Sequence, residues 1–283
     1  MSRRFQILSS LGLRIIAMVI MVIDHIAALM IDFNLPINSD VYLLMRILGR
    51  IALPLFIFLA FEAVRYTRDI NKYVRRMALM VMIMAVVIAM MEFVLHISFP
   101  PKNIFIDLIS GVMLVYFFLH PKKKNWYYLL PTVYVIITTI LVYGNILYIP
   151  AFMLADYSWF SLLLFVGFYL AHLIAKLFIT RSTGIKDLNE PALAHIEQFH
   201  TLYIYLSSVL LLSVNLIWYI LDITLQVMTW NMRLQSYSLL AAIFILIYNG
   251  RPGYRARWLQ VFNYAFYPLH LGLIALVLYL ISI

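Results

Sequence analysis

Apolar runs of about 20 residues recur from one end of this chain to the other, and a run of that length is what an α-helix needs to cross a bilayer. Nine such runs can be drawn, at about 13–32, 43–66, 74–97, 104–120, 126–143, 159–179, 201–222, 235–249 and 259–282. Of the 283 residues, 65% are hydrophobic and 12% are charged, a balance foreign to a soluble domain. The expected fold is therefore an all-α, polytopic membrane bundle of about nine helices forming a single domain over 1–283. No soluble domain and no internal repeat is visible. The first run follows Met-Ser-Arg-Arg and imitates a signal peptide, but it is long and carries Arg14 and Asp24, so it reads as a retained span.

The formal charge of +9 raises nucleic acid as a partner. The distribution of the charges argues for a membrane instead. Fifteen cations fall in loops on one side: Arg3, Arg4, Arg65, Arg68, Lys72, Arg75, Arg76, Lys122, Lys123, Lys124, Arg181, Lys186, Arg251, Arg255 and Arg257. Lys102 and Arg233 fall on the other. The positive-inside rule then places the N-terminus in the cytoplasm and, with nine spans, the C-terminus outside the cell membrane. Residues 145–156 are apolar but short and interrupted by Pro150, and read as a re-entrant or interfacial segment or a tenth short span. In the polar stretch Thr180–His200, Asn189 is placed to cap a short surface helix. With no cysteine, disulfides, thiolate metal sites and cysteine acyl-enzymes are excluded. His195 and His200 are five apart, a poor spacing for two ligands on one helix face, and no metal is expected.

The first span reads RIIAMVIMVIDH from Arg14 to His25. Ionisable residues inside a span are costly and are by default functional. Arg14 and His25 are 11 residues apart, so they share one helix stripe within about 20°, separated by roughly 16 Å. In the second span Arg46 and Arg50 share a face, and Pro54 predicts a kink just beyond them. Counting depth on antiparallel helices puts Asp24, His25, Arg50 and His270 in one membrane layer, a site between helices. Each residue also has a structural reading. Asp24 and Arg50 form an ion pair that fixes helix packing, Arg14 snorkels at the inner boundary, and the histidines are hydrogen-bonded core residues. Glu62 and Arg65 read as a local pair, and Glu92 and Asp107 as solvated residues near outer helix ends.

Three blocks carry a resemblance: RIIAMVIMVIDHIA, RILGRIALPLFIFLAFEAVRYTRDINKYVRR, and YNGRPG with FNYAFYPLHLGLI. Together they resemble the TraX family, membrane proteins named for one that acetylates the N-terminus of a conjugative pilin. TraX-like proteins are similar to a wider group of membrane acyltransferases. In the acyltransferase-3 family an Arg, ten residues and a His on the first span form the catalytic signature, and Arg14 and His25 match it. Relatives of that group usually have ten spans or more, against nine counted here. The resemblance implies an acyl-CoA donor, most simply acetyl-CoA. Arg14, with Arg46, would hold the donor, and His25 would act as general base or acyl acceptor. Asp24, Arg50 and His270 would complete the site, Arg50 or Arg46 at the oxyanion and His270 at the acceptor. The acceptor stays open among a pilin or peptide amine, a glycan hydroxyl and a lipid-linked sugar, in a setting of membrane lipid. A proton-coupled carrier and a non-catalytic assembly factor for surface polymers are the alternatives.

Overall fold

The structure is a computed structural model that describes residues 6–97, 101–120, 125–185, 188–225, 230–254 and 256–282. Arg3, Arg4, Lys122, Lys123, Lys124, Lys186 and Arg255 of the cation count lie outside them. The described residues are helical, without a named strand. Among the described residues, seven helices are long and apolar enough to cross a membrane: Ser10–Asp32, Ser39–Tyr66, Ile70–Phe93, Trp126–Tyr143, Trp159–Thr183, Glu197–Leu221 and Val261–Ser282. Two of the expected nine runs form shorter apolar helices, Ile104–Leu119 and Arg233–Leu246. Residues 145–156 form no span and carry only the 3-10 turn Ala151–Met153.

The elements are α1 (Ser10–Asp32), α2 (Ser39–Gly49), α3 (Ala52–Tyr66), α4 (Ile70–Phe93), α5 (Ile104–Leu119) and α6 (Leu130–Tyr143), then α7 (Trp159–Thr183), α8 (Glu190–Ala194), α9 (Glu197–Leu225), α10 (Trp230–Gln235), α11 (Ala241–Leu246) and α12 (Arg257–Ser282). The second span breaks at Arg50–Ile51, between α2 and α3. This is the kink that Pro54 predicts just beyond Arg46 and Arg50. Proline has no N–H to return to the carbonyl four residues back, and that carbonyl belongs to Arg50, so the helix opens there.

The chain divides into two compact units. One comprises residues 1–20, 50–66 and 163–254. Its centre is α3, buried at nearly every position from Ala52 to Arg65. The rings of Phe58, Phe61, Phe168, Phe199, Tyr203 and Tyr248 interlock there, in edge-on and stacked contacts 5.3 to 6.2 Å apart. The YNGRPG segment is tied to the N-terminus: Leu8 N–H donates to Ile247 (3.0 Å), Asn249 N–H to Leu8 (2.8 Å) and Ser10 N–H to Arg251 (2.8 Å). Gly250 (φ +73°) lies against His200, and Gly253 (φ +78°) against Ser9. Any side chain at either position meets both a left-handed backbone and an occupied space.

The second unit comprises residues 21–49, 67–162 and 255–283. Here α4 packs against α5 and α12, and α5 against α6. Asn103 caps α5, accepting from Phe105 N–H (3.2 Å) while donating to the carbonyl of Val81 (2.9 Å). Asp107 corrects an expectation. It is fully buried, and its carboxylate accepts from the Ser161 hydroxyl (2.6 Å) and from the backbone N–H groups of Asp156 (2.7 Å) and Tyr157 (3.3 Å). A helix residue thereby fixes the chain entering α7.

Candidate active site

Apolar residues bury one face of α1, with Ala17, Met21 and Ala27 turned inward, and this places Asp24 and His25 inside the second unit. His25 Nδ1 lies 2.8 Å from His270 Nε2. The two rings are nearly parallel, 12° apart with centroids at 5.0 Å. His270, on α12, is also stacked with Phe266, at 4.9 Å. Tyr267 stands edge-on to both histidines, at 5.9 and 5.3 Å. The sequence brought His25 and His270 to one layer; the structure bonds them directly.

The bonding fixes where the protons sit. His270 Nδ1 lies 2.8 Å from the carbonyl oxygen of Phe266. A carbonyl only accepts, so Nδ1 of His270 carries the hydrogen, and a neutral His270 therefore presents Nε2 as an acceptor. His25 Nδ1 must then donate. The basic lone pair of His25 then sits on Nε2, because the hydrogen bond made by one ring nitrogen sets the state of the other. A base with a fixed tautomer and a stacked orientation can take a proton from a reacting hydroxyl or amine, and the imidazolium so formed is steadied by the same bond.

Asp24 is buried beside this pair and is held by Arg46, whose Nη1 donates to Oδ1 at 3.0 Å and to the Asp24 carbonyl at 3.4 Å. α2 can come this close because residue 49 is glycine: a Cβ there would overlap the Asp24 carboxyl group. Arg46, expected at the donor or the oxyanion, thus also has a local task in fixing the residue next to His25. Arg50 belongs to the other unit, where it is buried and donates to Gln235 Oε1 at 3.4 Å. Arg14 also falls in that unit, half-buried, and among the described residues no hydrogen bond or ion pair engages it.

Sequence reasoning missed two features. Tyr267 gives no signal, being one aromatic among 20 tyrosines. The other is a buried polar cluster in the first unit. The expected Glu62–Arg65 pair is present at 2.6 Å, but Arg65 Nε also donates to Glu190 at 3.0 Å. Glu190 in turn accepts from His172 Nε2 at 2.9 Å. Asn189 does cap α8, accepting from Ala192 N–H at 3.0 Å, and the cap turns Glu190 toward the cluster. Burial pushes the Glu190 carboxyl up, but the hydrogen bond from His172 and the charge and hydrogen bond of Arg65 outweigh it and hold it at about 2. His172 was legible as an ionisable residue within a span.

A family model described as TraX protein matches residues 9–195, well over half of the chain. Comparison with curated proteins and with solved structures gives no match.

Proposed function

The chain belongs to the TraX family, and from that premise we propose that it is a membrane acetyltransferase, moving an acyl group from cytosolic acyl-CoA to an acceptor at the outer face of the cytoplasmic membrane. The observation that carries the reading is the His25–His270 hydrogen bond at 2.8 Å, which leaves the basic lone pair on His25 Nε2. Arg14 supports it as a span cation with no protein partner among the described residues, suited to a CoA phosphate. On this reading the two shorter apolar helices cross the membrane beside the seven long ones, and the charge asymmetry of the loops sets the N-terminus inside and the C-terminus outside.

Acetyl-CoA supplies the acyl carbon. The acceptor amine or hydroxyl attacks the thioester carbonyl while His25 Nε2 takes the acceptor's proton. The guanidinium of Arg46 balances the oxyanion. The carbon–sulfur bond then breaks, and the CoA thiolate takes the proton back from His25. Transfer through an acyl-imidazole on His25 uses the same residue as nucleophile. The acceptor class implied by the family is a peptide or pilin amine; a glycan hydroxyl and a lipid-linked sugar meet the same base.

The test is release of CoA from acetyl-CoA by the purified protein, with a peptide amine as acceptor. Acceptor-dependent release that disappears in His25→Ala is expected. Absence of release from the folded parent protein, or solute uptake that survives His25→Ala, contradicts the proposal and favours a carrier.

A further inference from the structure

At one end of the second unit the chain folds inward along the spans. Asn103, at the start of α5, donates from its side chain to the carbonyl of Val81 at 2.9 Å, and Val81 stands midway along α4. Asn103 N–H donates to the carbonyl of Leu154 at 2.9 Å. The Tyr134 hydroxyl donates to the carbonyl of Met153 at 2.6 Å, and Tyr134 stands midway along the Trp126–Tyr143 span. Two different spans thus hold Met153 and Leu154 at mid-depth. The Tyr148 hydroxyl, in contrast, donates to Glu92 at 3.0 Å, beside the end of α4. Glu92 and Val81 are separated by roughly 16 Å of helix, so the chain descends steeply from Tyr148 to Leu154. Asp107, one turn further along α5, receives the N–H groups of Asp156 and Tyr157 at the bottom of the descent. On the orientation proposed above, the descent starts at the outer face, opposite the basic segment that opens α4.

Non-helical backbone at mid-depth is tolerated only where it is buried in protein or lines water. Leu154 and Ala155 are buried, whereas Asp156, Tyr157 and Ser158 are only half-buried. A carboxylate open to hydrocarbon at this depth is strongly unfavourable, so the open side of Asp156 faces water. The descent ends beside the candidate active site. The Phe105 ring, in the first turn of α5, stands edge-on to Tyr267 at 5.5 Å, and Tyr267 stands edge-on to His25 and His270. Asp156 and Asp107 lie within electrostatic reach of Tyr267. All of these residues belong to the second unit.

We propose that residues 151–158 and the first turn of α5 line a water-filled entry from the outer face, which ends at Tyr267 and admits the acceptor to His25. What travels through the entry rests on the acyltransferase reading above; that water fills it does not.

The chain contains no cysteine, so single cysteines can be introduced one at a time without background. A maleimide reacts with the thiolate, and a thiol facing lipid stays protonated. Ser158→Cys, Met82→Cys and Asn145→Cys are each treated with a membrane-impermeant maleimide in intact cells. Met82 is exposed next to Val81 on α4 and reports lipid at the same depth. Asn145 is exposed just beyond the end of α6 and reports the outer surface. Ser158→Cys should label from outside, as Asn145→Cys does, and Met82→Cys should not. Tyr157→Cys carries the same test if Ser158→Cys does not accumulate. A cysteine at 158 as unreactive as Met82→Cys, or reactive only in inverted vesicles, overturns the entry. In the purified full-length protein, labelling Ser158→Cys should abolish acceptor-dependent release of CoA and leave coenzyme A binding as in the unlabelled variant. Labelled protein that turns over like the unlabelled variant overturns the acceptor's route. A parent protein that releases no CoA refutes the acyltransferase reading, and the acceptor's route with it, while the labelling still decides whether water fills the entry.

Discussion

Replacing His270 by alanine tests the relay rather than the base. In the resting site His25 donates from Nδ1 to His270 at 2.8 Å, a bond between neutral groups. Such a bond contributes about 0.5–1.5 kcal/mol. When His25 accepts a proton at Nε2 the same bond becomes charge-assisted, and its worth rises to about 1.5–3 kcal/mol. Only the increase is realised in the transition state alone, and only that part acts on kcat. The increase is about 1–1.5 kcal/mol, so His270→Ala should lower kcat about tenfold, with KM for the donor little changed. A carboxamide oxygen still accepts from Nδ1–H, so His270→Gln should recover part of the loss. The assay is the initial rate of thiol release from acetyl-CoA at several donor concentrations. A His270→Ala protein with parental kcat, or a defect confined to KM, would refute the relay.

Three further outcomes follow from particular contacts. Gly49→Ala drives a methyl group into the Asp24 carboxyl and should cost about 1–3 kcal/mol by overpacking, read as a lower unfolding temperature in detergent. Asp107→Ala strands the backbone N–H groups of Asp156 and Tyr157, while the Ser161 hydroxyl keeps the Ser158 carbonyl. It should destabilise by roughly 1–3 kcal/mol per unsatisfied donor, with faster protease cleavage between Leu154 and Ser161. The Glu190 carboxyl is lowered in the folded protein from 4.5 to about 2. Its stabilisation, on the order of 3 kcal/mol, is therefore present above about 4.5 and is lost as pH falls toward 2. Glu190→Gln should flatten that limb of the stability–pH curve; an unchanged limb shows that Glu190 does not carry it.

Much of this was legible because membrane spans are written in composition. Seven of the drawn runs return as long helices and two as shorter ones, since a bilayer leaves the backbone little choice but to form helices. Depth counting brought His25 and His270 together because rise per residue is fixed. It did not single out Arg46 as a partner of Asp24: Arg46 and Arg50 lie on one face, and Gly49 is what lets α2 approach so closely. The break at Arg50–Ile51 was legible because proline acts on the carbonyl four residues before it. Asp107 was misread because burial of a carboxylate depends on donors 49 to 54 residues away. The Glu190–His172 contact joins the short helix α8 to a span, and no local pattern encodes that.

The central claim is that one stripe of α1 holds the donor at Arg14 and performs the chemistry at His25. Titrating coenzyme A against purified Arg14→Ala and His25→Ala, beside turnover of acetyl-CoA, tests it most directly. Arg14→Ala should bind coenzyme A roughly ten- to a hundredfold more weakly, as loss of one charge-assisted phosphate contact implies, with part of the affinity restored in Arg14→Lys. His25→Ala should bind coenzyme A like the parent and lose turnover. Normal turnover by His25→Ala, or parental affinity in Arg14→Ala, would contradict the account.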